Sequence, residues 1–242
     1  MFGTIRNIKG EKIDYTFHQG NKAEKIITVL GHGVTGNKDR PFLVALAEAL
    51  SQAGISSLRM SFSGNGDSEG RFEASTISKE AEDLGCVINA LDGWNILYVG
   101  HSMGGAVGVL RASQDSRIGG LVSLAGMVHT EAFAQREFQG VPPDQGFMWD
   151  EATNPLSQAF IDDTAAIGTV VTNAPSIHVP WLLVHGTTDD VVPIQDSLDI
   201  FEQANEPKRL EPITGADHVF SEHTPEMIKI VVEWVRGHII HP

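Results

Sequence analysis

The segment 96–110 constrains the fold of this 242-residue chain more than any other stretch. It opens with an apolar run typical of a buried strand and closes with an apolar run typical of a helix. Between the two runs, the pattern Gly100-x-Ser102-x-Gly104 predicts a sharp turn, because the glycines let strand and helix approach closely. Such a turn would expose Ser102 as a nucleophile and leave the amide of Met103, at the helix start, free to bind an oxyanion.

Segments rich in β-branched residues alternate with segments of helical periodicity on both sides of this turn. The predicted strands are 25–31, 55–62, 120–126, 180–186 and 208–213, preceded by a hairpin within 4–17. The predicted helices are 41–52, 76–91 and 226–239. This alternation predicts an α/β fold, in which helices cover both faces of a mostly parallel central sheet.

Residues 127–179 separate two of the predicted strands and are too many for a simple crossover, so we expect a lid insertion there. The remainder, 1–126 and 180–242, is predicted to form one core domain. Asn154-Pro155 indicates a helix start within the insertion. The large apolar residues of the insertion could line an acyl or aryl pocket or form its own small core, and composition does not separate these alternatives. The candidates for substrate binding are Phe133, Phe138, Met148, Trp149 and Phe160.

A nucleophilic serine requires a base and an acid. His218 and Asp189 each follow a predicted parallel strand, so both are expected at the carboxyl edge of the sheet beside Ser102. The order serine, acid, histidine along the chain is that of one known triad architecture. Asp190 is the competing candidate for the acid.

Two glycine-rich loops resemble nucleotide-binding motifs, but the spacing of their glycines does not match those motifs. The loop 32–38 does not match the phosphate-binding pattern G-x-x-x-x-G-K-[ST], and in 63–70 the third glycine of a dinucleotide fingerprint comes one residue late. We therefore expect 63–70 to be structural and 32–38 to bring the amide of Val34 to the oxyanion beside Ser102. His32 is then expected to shape its loop rather than act as a base.

Charge and hydropathy limit the expected partners and location. The net charge of −14 would repel nucleic acid and anionic membranes, so we expect neither as a partner. No run approaches the ~18 apolar residues of a membrane-spanning helix, and Met1 to Gly10 lacks the apolar region of a signal peptide, so we expect a cytoplasmic protein. The single cysteine, Cys86, lies in the apolar stripe of a predicted helix and is expected to be a structural thiol.

Five motifs spread over nearly the whole chain carry a resemblance to a known family. They are His32-Gly33-Val34-Thr35-Gly36-Asn37-Lys38, Gly64-x-Gly66-x-Ser68-x-Gly70, Gly100-His101-Ser102-Met103-Gly104-Gly105, His185-Gly186-x-x-Asp189 and Gly215-Ala216-Asp217-His218-x-Phe220. Together they resemble the α/β-hydrolases, and most closely the small bacterial esterases that include cinnamoyl and feruloyl esterases. The resemblance implies an α/β-hydrolase fold and a serine esterase that acts on a small-molecule ester. We expect no metal or other cofactor, and a monomer or a homodimer.

These observations predict a serine carboxylesterase that hydrolyses small to medium acyl or aryl esters through an acyl-enzyme. In this scheme His218 is the base for Ser102 and Asp189 orients it, so we expect activity to rise with pH through the neutral range. An amidase, a peptidase or a thioesterase could use the same residues. A ligand-binding homologue without catalysis is a further alternative, because a fold does not determine a function.

Overall fold

A seven-stranded sheet forms the centre of the protein, in a computed structural model that describes residues 2–21 and 25–239. Its strands are β3 (Tyr15–His18), β4 (Ile26–Gly31), β5 (Ser56–Met60), β6 (Asn95–His101), β7 (Ile118–Leu124), β8 (Trp181–Gly186) and β9 (Lys208–Ile213). Their order is β3-β5-β4-β6-β7-β8-β9, and only β3 pairs antiparallel to its neighbour. Positions 1, 22–24 and 240–242 of the predicted core domain lie outside the described residues.

The helices lie on both faces of this sheet, as the alternation of apolar patterns predicted. They are α1 (Pro41–Gln52), α2 (Ile77–Ala90), α3 (Met103–Ala112), α4 (Thr130–Phe138), α5 (Gln158–Ile167), α6 (Ile194–Gln203) and α7 (Thr224–Ile239). Successive strand residues point to opposite faces, so the strands contribute side chains to two separate apolar clusters, one on each face of the sheet. Helices α1 and α7 pack in one cluster, while α2, α3, α6 and the insertion share the other. The predicted α/β fold with a mostly parallel sheet is therefore confirmed.

The predicted hairpin near the N-terminus forms, but it is shorter than the segment that suggested it. Strands β1 (Ile5–Arg6) and β2 (Lys12–Ile13) pair antiparallel in a separate two-stranded sheet. The residues that follow β2 do not extend the hairpin, because β3 joins the central sheet and pairs with β5.

Residues 127–179, the predicted lid insertion, follow β7 and therefore leave the sheet at its carboxyl edge. Residues 127–179 contain α4, α5 and short 3-10 turns, and they are tied to the core by hydrogen bonds. The amide of Val128 donates to Asp196 Oδ2 at 2.8 Å, and the amide of Ser78 donates to Asp163 Oδ2 at 3.1 Å. These contacts anchor the insertion to α6 and to α2.

The predicted helix start at Asn154-Pro155 is wrong. Helix α5 begins at Gln158, because the hydroxyl of Ser157 accepts a hydrogen bond from the amide of Phe160 at 3.1 Å and so caps the first turn. Pro155 instead pairs with Phe147 in an isolated β-bridge.

None of the described helices is both long enough and apolar enough to cross a lipid bilayer.

Candidate active site

Ser102 occupies a strained turn between β6 and α3. Its φ of 53° and ψ of −120° place a residue with a side chain where glycine is normally required, at a cost of about 1–3 kcal/mol. The surrounding backbone holds this conformation: the amide of Ser102 donates to the carbonyl of Leu124 at 2.9 Å. The carbonyl of Ser102 accepts from the amides of Gly105 at 2.8 Å and Met127 at 3.0 Å. The turn predicted from the glycine pattern is present, and Ser102 is fixed from two sides.

His218 is paired with Asp189, which the sequence proposed as its acid. The loop after β9 carries His218, and its Nδ1 lies 2.8 Å from Asp189 Oδ2 on the loop after β8. Since Nδ1 donates to this carboxylate, Nε2 of the neutral ring is left as a proton acceptor. Asp190, the competing acid, is solvent-exposed. The geometry therefore assigns Asp189, and not Asp190, as the partner of His218.

The carboxylate of Asp189 is fully buried and extensively hydrogen-bonded. Its Oδ1 accepts from the amides of Val191 at 2.9 Å and Val192 at 2.8 Å, and its Oδ2 also lies 3.3 Å from His185 Nε2. Burial raises the pKa of this carboxyl, but its interactions with His185 and His218 outweigh burial and hold the pKa well below its usual range. Asp189 is thus an ionised group in a position to stabilise an imidazolium.

Two histidines that the sequence analysis named within its motifs, but to which it gave no role, position this pair. His101 Nε2 donates to the carbonyl of His218 at 2.9 Å, and the two rings lie 4.8 Å apart. His185 is anchored by Ser197 Oγ, 2.7 Å from its Nδ1. Their sequence positions carried a usable signal, because His101 precedes Ser102 directly and His185 precedes Asp189 by four residues.

The loop predicted to complete an oxyanion site borders the same space. A tight turn closed by the hydrogen bond from Gly36 N to Gly33 O, at 3.0 Å, presents Val34 at the cavity wall. Met103 is the first residue of α3, where an amide has no acceptor within its own helix. Val34 therefore lines the cavity and Met103 directly follows Ser102, while the binding of an oxyanion by their amides stays a prediction.

His32 shapes this loop from inside the protein. Its Nε2 accepts from the amide of Phe62 at 3.0 Å, so its Nδ1 carries the proton and donates to the carbonyl of Gly33 at 2.8 Å. Burial lowers the pKa of His32 to about 4. A neutral histidine with both nitrogens occupied supports the loop and is not available as a base.

The second glycine-rich loop, 63–70, is also held by internal hydrogen bonds. Ser63 donates to Asp83 Oδ2 through its amide at 2.8 Å and through its hydroxyl at 2.6 Å. The hydroxyl of Ser68 donates to the carbonyl of Ser61 at 2.7 Å. These contacts agree with a structural role for the loop.

Ser102 and His218 open onto one cavity of about 350 Å³. Its walls are largely apolar; the hydrophobic residues that line it are Val34, Phe42, Trp149, Val191 and Val219. This volume lies at the small end of the range for ligand sites, which suits a small or medium acyl or aryl group. The cavity thus combines a serine hydroxyl, a free imidazole nitrogen and an apolar wall.

The apolar residues proposed for substrate binding divide into two groups. Trp149 lines the cavity and is 41% exposed. Phe133, Phe138, Met148 and Phe160 are buried in the core, and the three phenylalanine rings pack edge to face at 6.0 and 6.1 Å. Within this set, Trp149 alone lines the cavity beside Ser102, while the other four side chains belong to the buried apolar cluster that the insertion shares with α2, α3 and α6.

Comparisons with known proteins agree with this architecture. Est1E from Butyrivibrio proteoclasticus, solved with ferulic acid bound, is 22% identical with a TM-score of 0.86, covering 98% of this chain and 100% of that chain. An uncharacterized protein of Mycobacterium tuberculosis is 27% identical over 203 residues, which is 82% of this chain and 64% of that protein. The mitochondrial palmitoyl-protein thioesterase ABHD10 of Bos taurus is 25% identical over 187 residues, which is 71% of this chain and 59% of that protein. The chain spans less than two thirds of the length of these two relatives.

The family profile described as alpha/beta hydrolase fold matches residues 29–159, more than half of the chain. The matched region contains Val34 and Ser102, while Asp189 and His218 follow it. On this match, supported by the sheet order and the strained serine turn, the chain belongs to the alpha/beta hydrolase fold family.

Proposed function

We propose that this hydrolase is a serine carboxylesterase acting on small to medium acyl or aryl esters. One observation carries the proposal: His218 bridges the buried carboxylate of Asp189 and the cavity into which the strained residue Ser102 opens. Nothing in this arrangement calls for a bound cofactor, because nucleophile, base and acid are all side chains of the chain.

The proposed reaction is a two-step acyl transfer. The hydroxyl of Ser102 attacks the ester carbonyl while His218 Nε2 accepts its proton, and Asp189 stabilises the imidazolium that forms. The amides of Val34 and Met103 donate to the developing oxyanion, an effect of about 3 kcal/mol per donor in comparable hydrolases. The imidazolium then returns its proton to the leaving alcohol. In the second step His218 activates a water that cleaves the acyl-serine ester.

The first test is hydrolysis of 4-nitrophenyl esters from acetate to decanoate by the parent protein and by Ser102→Ala. Because the triad acts as a unit, we expect Ser102→Ala to lower kcat by several orders of magnitude, up to about 10⁶-fold. Ser78→Ala is the matched control, since Ser78 is an exposed serine on α2 and should leave kcat unchanged. Retention of activity in Ser102→Ala would overturn the proposal. The preferred chain length would measure the acyl space of the cavity.

A thioesterase is the second candidate, favoured by the likeness to the palmitoyl-protein thioesterase of Bos taurus. The cavity volume of about 350 Å³ favours shorter acyl groups than a palmitoyl chain. Matched butyryl ester, thioester and amide substrates with comparable leaving groups separate these functions. A kcat/KM for the thioester well above that for the ester would replace the esterase assignment, and preference for the amide would indicate an amidase or peptidase.

A further inference from the structure

Arg40 places a positive charge at the proposed active-site cavity. It precedes α1, is solvent-exposed, and lines the cavity together with Ser102 and His218. Its Nη2 donates to the carbonyl of Thr35 at 3.3 Å. A guanidinium has five N–H donors, so this one contact leaves most of its donors available.

The acidic residue beside Arg40 in the sequence is already used by other cations. Asp39 lies 2.7 Å from Lys38 Nζ and 2.7 Å from Arg59 Nη1. Among residues 2–21 and 25–239, no carboxylate forms an ion pair with Arg40. The other residues that line the cavity are apolar, glycine, hydroxyl-bearing or histidine. Arg40 is therefore the cation of this wall in a protein whose net charge is −14.

The positive charge of Arg40 also affects a histidine that lines the same cavity. Burial and, after it, the neighbouring His218 are the main causes that lower the pKa of His101 to about 3, and the positive charge of Arg40 makes a small contribution in the same direction. His101 lies directly against His218 and next to Ser102 in the chain. A negatively charged group bound in this space would thus interact with the same guanidinium.

Helix stability does not account for an arginine at this position. Arg40 precedes the first turn of α1, but its side chain makes no capping hydrogen bond there. A cation at the N-terminus of a helix opposes the helix dipole, which favours a negative charge at that end. Apart from its contact with the carbonyl of Thr35, the guanidinium forms no ion pair within residues 2–21 and 25–239 and is available to bind a ligand.

We infer that Arg40 is a specificity-determining residue that selects esters carrying an anionic group, a carboxylate or a phosphate, a few atoms from the scissile carbonyl. This inference rests on the proposed esterase function and names the class of substrate for that site. The apolar wall would hold the carbon skeleton, and Arg40 would form charge-assisted hydrogen bonds with the anion. The anion can belong to the acyl half or to the leaving group, and the test separates these two sources.

The test compares matched anionic and neutral esters in two arms. In the acyl arm, 4-nitrophenyl hydrogen glutarate is compared with its methyl ester. In the leaving-group arm, the butyrate ester of 4-hydroxybenzoate is compared with that of methyl 4-hydroxybenzoate. The measured quantity is the ratio of kcat/KM for the anionic member to kcat/KM for the neutral member, in the parent protein and in Arg40→Gln.

We expect Arg40→Gln to lower this ratio about three- to tenfold in one arm, as befits a solvent-accessible charge contact. That arm identifies the half of the substrate that carries the anion. Arg236→Gln is the matched control, because Arg236 is also exposed and, within the described part of the chain, donates only to the backbone carbonyl of Ala53 at 3.4 Å, outside the cavity. It should leave the ratio unchanged.

An unchanged ratio in both arms would overturn the inference, as would an equal loss for anionic and neutral members, which would indicate that Arg40 only supports its loop. Binding of the same esters to Ser102→Ala and to Ser102→Ala with Arg40→Gln, measured by calorimetry, tests the anion contact without turnover. Weaker binding of the anionic member alone in the double variant supports the contact even if the esterase proposal fails. Equal binding to the two variants would count against the contact.

Discussion

At the scale of single residues, the carboxylate of Asp189 shows how the site is organised. It accepts from the imidazole of His218 and from the amides of Val191 and Val192, and its Oδ2 lies 3.3 Å from His185 Nε2. Each donor stabilises the ionised form of the carboxylate. The two amides bind Oδ1, which leaves Oδ2 facing His218. The neighbouring Asp190 has none of these contacts in the structure and is exposed to solvent.

The first residue-scale prediction compares Asp189→Asn with Asp190→Asn. An amide at 189 cannot stabilise the imidazolium of His218 and favours the wrong tautomer of its ring, so we expect kcat to fall by about 10⁴-fold. Asp190→Asn removes the same formal charge one residue away, and we expect kcat within about twofold of the parent, as for an ordinary surface substitution. Steady-state ester hydrolysis by the two variants measures this difference. A larger loss in Asp190→Asn would reverse the assignment of the acid.

At the scale of elements, the position of Ser102 depends on how closely β6 approaches α3. A Cβ built on Gly100 would lie 2.1 Å from the carbonyl oxygen of Gly104. A Cβ on Gly33 would lie 2.7 Å from Ser102 Cβ, so the loop 32–38 also packs directly on Ser102. A Cβ on Gly104 would lie 2.6 Å from the carbonyl oxygen of His32, so the motif requires glycine on both sides of the serine.

Gly100→Ala should therefore destabilise the protein. The new methyl group must push the first turn of α3 away from β6, and overpacking of this kind typically costs about 1–3 kcal/mol in the free energy of unfolding. Gly119→Ala, on the adjacent strand β7, is the matched control, because the nearest atom to its Cβ is 3.7 Å away. Urea denaturation measures both variants. Equal stability of the two would show that the turn can relax and that close approach is not what selects glycine.

At the scale of the whole molecule, the ionisable groups respond to pH in two opposite directions. Salt bridges and hydrogen bonds lower the pKa of several carboxyls, and these groups stabilise the fold above about pH 4 and lose that contribution as the pH falls. The carboxyls concerned include Glu11, Asp39, Asp115 and Asp189. Glu80 on α2 behaves oppositely, because burial and the nearby charge of Asp83 raise its pKa well above the usual value.

Glu80→Gln tests whether Glu80 makes the protein less stable as the pH rises. The native state favours protonated Glu80, so its contribution to stability is present at low pH and is lost as the pH rises above the unfolded value of about 4.3. The glutamine side chain is neutral at every pH, and we expect the variant to gain stability relative to the parent as the pH increases from about 4 to about 8. The buried Oε2 of Glu80 has no hydrogen-bond partner among the described residues, so the substitution breaks no bond of that atom.

Glu82→Gln serves as the control for Glu80→Gln, because Glu82 is an exposed carboxylate on the same helix. Its stability relative to the parent should change little with pH. Chemical denaturation at about pH 4, 6 and 8 measures all three proteins. A stability difference between Glu80→Gln and the parent that does not grow with pH would show that Glu80 is ionised in the folded protein.

The sequence by itself determined the fold class and the place of the strained turn that carries Ser102. Hydrophobic periodicity is a local property, so β4, β8, β9, α1 and α2 begin and end within two residues of their predicted bounds. The turn at Ser102 was also predictable, because the glycines that permit it are its neighbours in the chain. The position of His218 and Asp189 at one sheet edge followed from the general geometry of parallel sheets, and their catalytic roles stay predictions.

Only the tertiary structure decided which of several similar residues reaches the site. Asp189 and Asp190 have the same chemistry and adjacent positions, and burial against His185 and His218 distinguishes them. The apolar residues of the insertion share one composition, but packing buried four of them and left Trp149 on the cavity. Arg40 lines the same cavity as Ser102 although the two are far apart in the chain, because contacts between distant segments form only when the sheet brings its loops together at one edge.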